Sequence, residues 1–112
     1  MRNAAKEEGA RWLAQASADV EAAAHLVAGE HFNVACFLAQ QAAEKVLKAF
    51  LYHRGAVEVW GHSAAELCER CAELEPSFRE FASSAALLDK YYIPTRYPTA
   101  CRAVFPKTLS TK

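Results

Sequence analysis

Apolar residues recur at three- and four-residue steps along most of this chain, and no segment sustains a two-residue alternation. That spacing puts the apolar side chains on one face of a helix, so helices are the expected building elements. Leu13, Ala16, Val20, Ala23 and Val27 form such a stripe and predict a first helix over residues 5–28, ended by Gly29. "GEHFN" reads as a turn, with Asn33 as the cap of a second helix over residues 34–53. Val34, Phe37, Leu38, Ala42, Val46, Leu47, Phe50 and Leu51 cover a wide arc of that helix, as expected of the most buried element, and Gly55 lies just past its end.

In "GHSAAEL", Ser63 and Glu66 have capping-box spacing and open a third helix that stops near Leu74. Pro76 then opens a fourth, over residues 77–90, with Phe78, Phe81, Ala85 and Leu88 at helical spacing. From residue 91 onward Pro94, Pro98 and Pro106 forbid a continuous helix. Long helices with short connections predict an all-α, antiparallel up-and-down bundle of four or five helices. With 112 residues the chain is one domain by size, with residues 91–112 as a loop-like tail and no evident closing helix. The bundle is therefore expected to present an apolar seam.

The longest apolar run, "VACFLA", is cut by Gln40, far short of a membrane span, and the first residues lack the apolar core of a secretory signal. A cytoplasmic location is the expectation, with no membrane partner. The formal charge of zero hides an asymmetry. Residues 1–89 carry eight Lys and Arg against thirteen Asp and Glu, a balance of −5, whereas residues 90–112 carry five basic residues and no acid. This fits a basic tail over an acidic body, or a local anion site that favours phosphate. Cys68 and Cys71 form a CxxC, but inside "AELCERCAEL" they share one helical face, and no second ligand pair completes a zinc site. They are expected to be buried, reduced thiols. No metal or cofactor is implied.

The least helical stretch, "LDKYYIPTRYP" (88–98), follows directly on the fourth helix. Its prolines fix their own backbone and bias the preceding residues to extended conformations, so it reads as a rigid corner presenting Arg96 and Tyr97. Tyr91 and Tyr92 add ring surface with polar tips. An arginine fork beside aromatic faces suits a phosphate and a stacked base; equally, the corner pins the tail onto the bundle, with Arg96 paired to a helix acid. On the second helix Gln41, Glu44, Lys45 and Lys48 sit close together. They form either a solvated face with a Glu44–Lys48 pair or the lining of a cleft or dimer seam. His62, before the Ser63 cap, is a capping or packing residue or a phosphate contact and proton carrier. Trp60 is expected in the core or at an interface, and His25, His31 and His53 have no ligand spacing.

Three stretches in this order resemble the HEPN family: "ARWLAQASADVEAAAHLV" (10–27), "FNVACFLAQQAAEKVLKAFLYHRG" (32–55), and "GHSAAEL" (61–67) followed by "LDKYYIPTRYP". The resemblance implies a four- or five-helix bundle, usually a homodimer, linked to nucleotide or RNA binding. Such domains occur in bacteria, archaea and large eukaryotic proteins such as sacsin. Some branches are ribonucleases of toxin–antitoxin and defence systems, often beside a minimal nucleotidyltransferase. Their catalytic signature is an arginine followed after four to six residues by a histidine. Here the nearest pair, Arg54 and His62, has seven intervening residues and crosses a loop.

The resulting expectation is a homodimeric nucleotide- or RNA-binding module without nuclease activity. Arg96, Tyr97 and His62 are its contacts, with Lys45 and Lys48 as secondary ones. The rivals are a metal-independent endoribonuclease and an association module of a larger chaperone-like or toxin–antitoxin assembly. The matching partners are a minimal nucleotidyltransferase or appended chaperone domains.

Overall fold

Small residues at seven-residue spacing set the first contact of the fold. The computed structural model describes residues 2–91, beginning with α1 (Arg2–Ala28) and α2 (Phe32–His53), which run antiparallel along most of their length. Gly9, Ala16 and Ala23 on α1 and Ala35, Ala42 and Ala49 on α2 are all buried. At Gly9 the approach is closest: a Cβ there would lie 2.9 Å from the Ala49 carbonyl oxygen and 3.0 Å from His53 Cβ. Backbones that meet over small side chains push larger ones to the flanks. Leu13 and Val20, expected in the α1 stripe, are accordingly about half exposed, and Trp12 and Asp19 join Ala16, Ala23 and Val27 on the inner face instead.

The α1–α2 turn closes with His31 N–H on the Leu26 carbonyl (2.7 Å) and Glu30 N–H on Val27 (2.9 Å). This is a Schellman arrangement whose left-handed residue is Glu30 (φ 66°), one position beyond the expected Gly29. His31 rather than Asn33 then precedes α2, and Asn33 lies inside the helix. At the other end of α2 the same motif recurs with Gly55 in the left-handed position (φ 105°): Ala56 N–H bonds Leu51 and Gly55 N–H bonds Tyr52.

The second half packs on the other flank of α2. α3 (Ala64–Leu74) begins at Ser63, whose hydroxyl accepts the Glu66 N–H at 3.1 Å, as its sequence predicts. The expected fourth helix is divided into a 3₁₀ segment (Pro76–Phe81) and a short α4 (Ala82–Asp89), antiparallel to α3. The tighter winding turns Phe78 inward, 4.7 Å from the Phe50 ring, and places its carbonyl 3.2 Å from Cys68 Sγ. Phe81, expected inside, is largely exposed. The main core joins Leu47, Leu51, Val59, Leu67, Cys68 and Ala85; a second cluster joins Val27, Phe32, Ala35, Cys36 and Tyr91. No strand occurs among the described residues.

Candidate functional site

Between the two apolar clusters α2 carries a polar row at four-residue spacing: Gln40, Glu44 and Lys48, all buried. Such groups are costly to bury unless hydrogen-bonded, and the neighbouring elements supply partners. Gln40 Nε2 donates to the His62 carbonyl (2.9 Å) and reaches Asp89 (3.4 Å), while its Oε1 accepts from Gln41 (3.0 Å). Lys48 Nζ lies 2.9 Å from Glu44 Oε2 and 5.3 Å from the centre of the Trp12 ring, which stacks on Tyr52. The Glu44–Lys48 pair is therefore interior, not the solvated surface pair that its i, i+4 spacing also allowed.

His62 joins this row from the loop between α2 and α3. Its Nδ1 lies 3.1 Å from Glu44 Oε2, and against a carboxylate oxygen Nδ1 is the donor. The imidazole is 64% exposed while Glu44 is 8% exposed, so a buried acid orients a ring that faces solvent. Glu44 Oε1 is buried with no hydrogen-bond partner among the described residues. The arrangement holds one histidine rotamer and one tautomer. Such a fixed ring can contact an anion or pass a proton.

Asp89, at the end of α4, closes the row. Its carboxylate accepts the Ala64 N–H (2.7 Å), the Ala65 N–H (3.0 Å) and the Ser63 hydroxyl (2.8 Å). A negative group at a helix N-terminus meets the unpaired amides and the positive end of the dipole, so α4 caps α3. Sequence reasoning did not single out Asp89. Its only signal was the acid that ends the fourth apolar pattern.

Of the sequence-derived site residues, the structure brings His62 and Lys48 onto the same carboxylate, Glu44. Lys45 is separate, paired with Asp19 of α1 at 2.6 Å and only 23% exposed. Both lysines are thus engaged in internal ion pairs. Arg96 and Tyr97 lie outside the described residues. Tyr91 is buried against Val27 and Phe32, which removes its ring as a ligand surface and makes it a packing residue; burial also raises its phenol above the ordinary range. Trp60 is 74% exposed and so is not a core residue. Cys68 and Cys71 are free and buried, as expected, and burial pushes the Cys71 thiol up to about 11. No group of three or more metal-ligating side chains occurs among the described residues, and no helix described is long and apolar enough to cross a membrane.

A helical bundle with a buried polar row that orients an exposed histidine defines the class of domain. The HEPN domain family model matches residues 10–105, nearly the whole chain, and the protein belongs to the HEPN family. That membership places it in general among nucleotide- and RNA-related modules. Comparison with curated protein sequences and with solved structures gave no significant match.

Proposed function

We propose that this HEPN domain is a homodimeric nucleotide- or RNA-binding module without nuclease activity, with His62, Arg96 and Tyr97 as its ligand contacts. The observation that carries the reading is the exposed His62 ring held by buried Glu44. It leaves a polar, oriented group at the surface on the α2–α3 loop. Arg96 would add the planar fork suited to phosphate, and Tyr97, the next residue in sequence, an aromatic ring. Lys45 and Lys48, engaged with Asp19 and Glu44, contribute to the local field rather than as direct contacts. The homodimer is supported by an apolar groove of about 580 Å³ bounded by Val20, Val46, Phe81 and Leu88. Three of these, Val20, Val46 and Phe81, are large apolar side chains left exposed, as expected of a surface that a second copy covers.

Binding of a fluorescent single-stranded RNA and of ATP by wild type and His62→Ala tests the assignment. The expected result is salt-sensitive binding that the substitution weakens several-fold. Absence of binding to either ligand removes the reading. A second reading rests on the same carboxylate–imidazole pair, which has the geometry of a general acid–base group. RNA cleavage by the purified protein, abolished in His62→Ala, would establish the endoribonuclease in place of the binding module.

A further inference from the structure

The close approach of the two long helices at Gly9 gives way, just beyond it, to a concavity. There the first turns of α1 face the end of α2 and the turn that follows, around a cavity of about 950 Å³. Lys6 stands one turn before Gly9 on the same face of α1, and His53, which Gly9 meets, is the last residue of α2. The antiparallel pairing thus brings Lys6, His53 and Arg54 to line one cavity, although they are far apart in sequence.

The polar side chains of this cavity have donors to spare. Among the described residues Lys6 and His53 form no side-chain hydrogen bond or ion pair, whereas Arg11, Lys45 and Lys48 are all paired with acids. Arg54 sets its guanidinium over the Phe50 ring at 5.4 Å, a contact that uses the face of the group and leaves its in-plane N–H donors. The Tyr52 hydroxyl accepts the Val59 N–H at 3.2 Å, so its own proton remains to be donated. Glu8 is the one acid among the described lining residues, and its carboxylate is already held by Arg11 and by the Trp12 N–H at 3.0 Å. Cations at a helix C-terminus complement its dipole, which accounts for His53 and Arg54 taken alone. It does not account for Lys6, which lies in the early turns of α1, where the dipole favours acids. Nor are these side chains needed as caps, because the Phe50, Leu51 and Tyr52 carbonyls accept the Arg54, Ala56 and Gly55 N–H groups.

We propose that this cavity is an anion site that takes the phosphate group of a small organic phosphate, with Lys6, Arg54 and the Tyr52 hydroxyl as its donors. A phosphate presents acceptor oxygens on every side, which matches a lining of donors with no acid left uncompensated. The apolar part of the ligand rests on the alanines of α1 and on Ala56 and Val57. Val57 is 91% exposed, an apolar surface that the domain itself leaves uncovered. Neither His62 nor the Gln40, Glu44 and Lys48 row lines the cavity, so the inference is independent of the reading of that site.

The test is amide NMR of the isotope-labelled protein titrated with AMP, inorganic phosphate and adenosine at physiological salt. AMP should give saturable shifts centred on residues 4–8 and 52–57, and adenosine none. Phosphate binding as well as AMP would support the site and identify the free anion as its ligand; weaker phosphate binding would support it and place the organic part on the apolar wall. Losing one charge-assisted contact weakens binding roughly tenfold or more, so Lys6→Ala and Arg54→Ala should each show a loss of that size for AMP. Both side chains are exposed, so the two variants should melt close to wild type. Adenosine binding as well as AMP overturns the inference, as does wild-type AMP affinity in both variants. Absence of any saturable shift at residues 4–8 and 52–57 also overturns it, and AMP shifts confined to the loop around His62 would do so while leaving the His62 site standing.

Discussion

The carboxylate of Asp89 accepts the Ser63 hydroxyl at 2.8 Å, across 26 positions of sequence, and so joins the end of α4 to the start of α3. Ser63 alone would cap one amide of the first turn, that of Glu66; Asp89 takes those of Ala64 and Ala65 as well. Charge-assisted bonds to a helix N-terminus are among the stronger ones. Asp89→Ala should therefore destabilise the domain by about 2–3 kcal/mol. Asp89→Asn, which keeps an acceptor but loses the charge, should fall between. Thermal melts of the three proteins check this, and an unchanged Asp89→Ala melt would remove the cap from the account.

Lys48 and Glu44 form a pair with both side chains 8% exposed. Removing one member of a buried pair leaves the other charge uncompensated, which typically costs about 3–5 kcal/mol. Lys48→Ala should approach that range, since it also empties the place over Trp12. Replacing both residues by apolar or neutral groups of similar shape, as in Glu44→Gln with Lys48→Met, should be far less damaging than Lys48→Ala. Urea denaturation of single and double variants gives the comparison, and additive losses would show that the two side chains are not coupled.

Among the described residues, periodicity and caps located α1, α2 and α3, because signals such as Gly55 and the Ser63–Glu66 pair act within a few residues, but they did not show that the stretch after Pro76 winds first as a 3₁₀ segment. What periodicity misjudged was which face of α1 turns inward. Leu13 and Val20 are larger than Ala16 and Gly9, so hydrophobicity favours them, but the partner helix favours the residues that permit close approach. The site was legible in part. The unusual polar residues of α2 and His62 were visible as candidates, yet their pairing through Glu44 depends on a loop 18 positions away. Asp89 was invisible for the same reason, since capping across 25 positions leaves no spacing to read.

The buried thiols predict a stability change at high pH. Burial raises Cys71 from 9.0 to about 11, with a smaller contribution from neighbouring Cys68, whose own thiol burial also raises. The folded state thus retains protons that the unfolded chain releases. The contribution is complete below pH 9, declines as pH rises from 9 towards 11, and is lost above it. Cys71→Ala should flatten part of that decline relative to wild type in urea melts at pH 8 and pH 10. Subtracting the two proteins isolates the thiol from Tyr91, whose phenol burial also raises. Parallel curves would show that the Cys71 thiol is not held protonated by the fold.

Arg96 provides the test of the proposed phosphate contact. Within "YYIPTRYP" the flanking prolines restrict the backbone before they restrict anything else, so replacing the arginine side chain leaves the corner's conformational bias intact. If Arg96 binds phosphate, Arg96→Ala should weaken RNA or ATP binding by roughly tenfold or more, the size of a lost charge-assisted hydrogen bond. Its melting temperature should stay near wild type. The RNA affinity of wild type should fall with added salt, because phosphate contacts release counterions, and the slope should become shallower in the variant. Arg96→Lys separates charge from shape: it keeps the positive charge but loses the two-point fork, so partial rescue marks a bidentate phosphate contact. A variant that melts early with no specific loss of ligand would instead make Arg96 a structural partner of the bundle, pinning the tail to a helix acid.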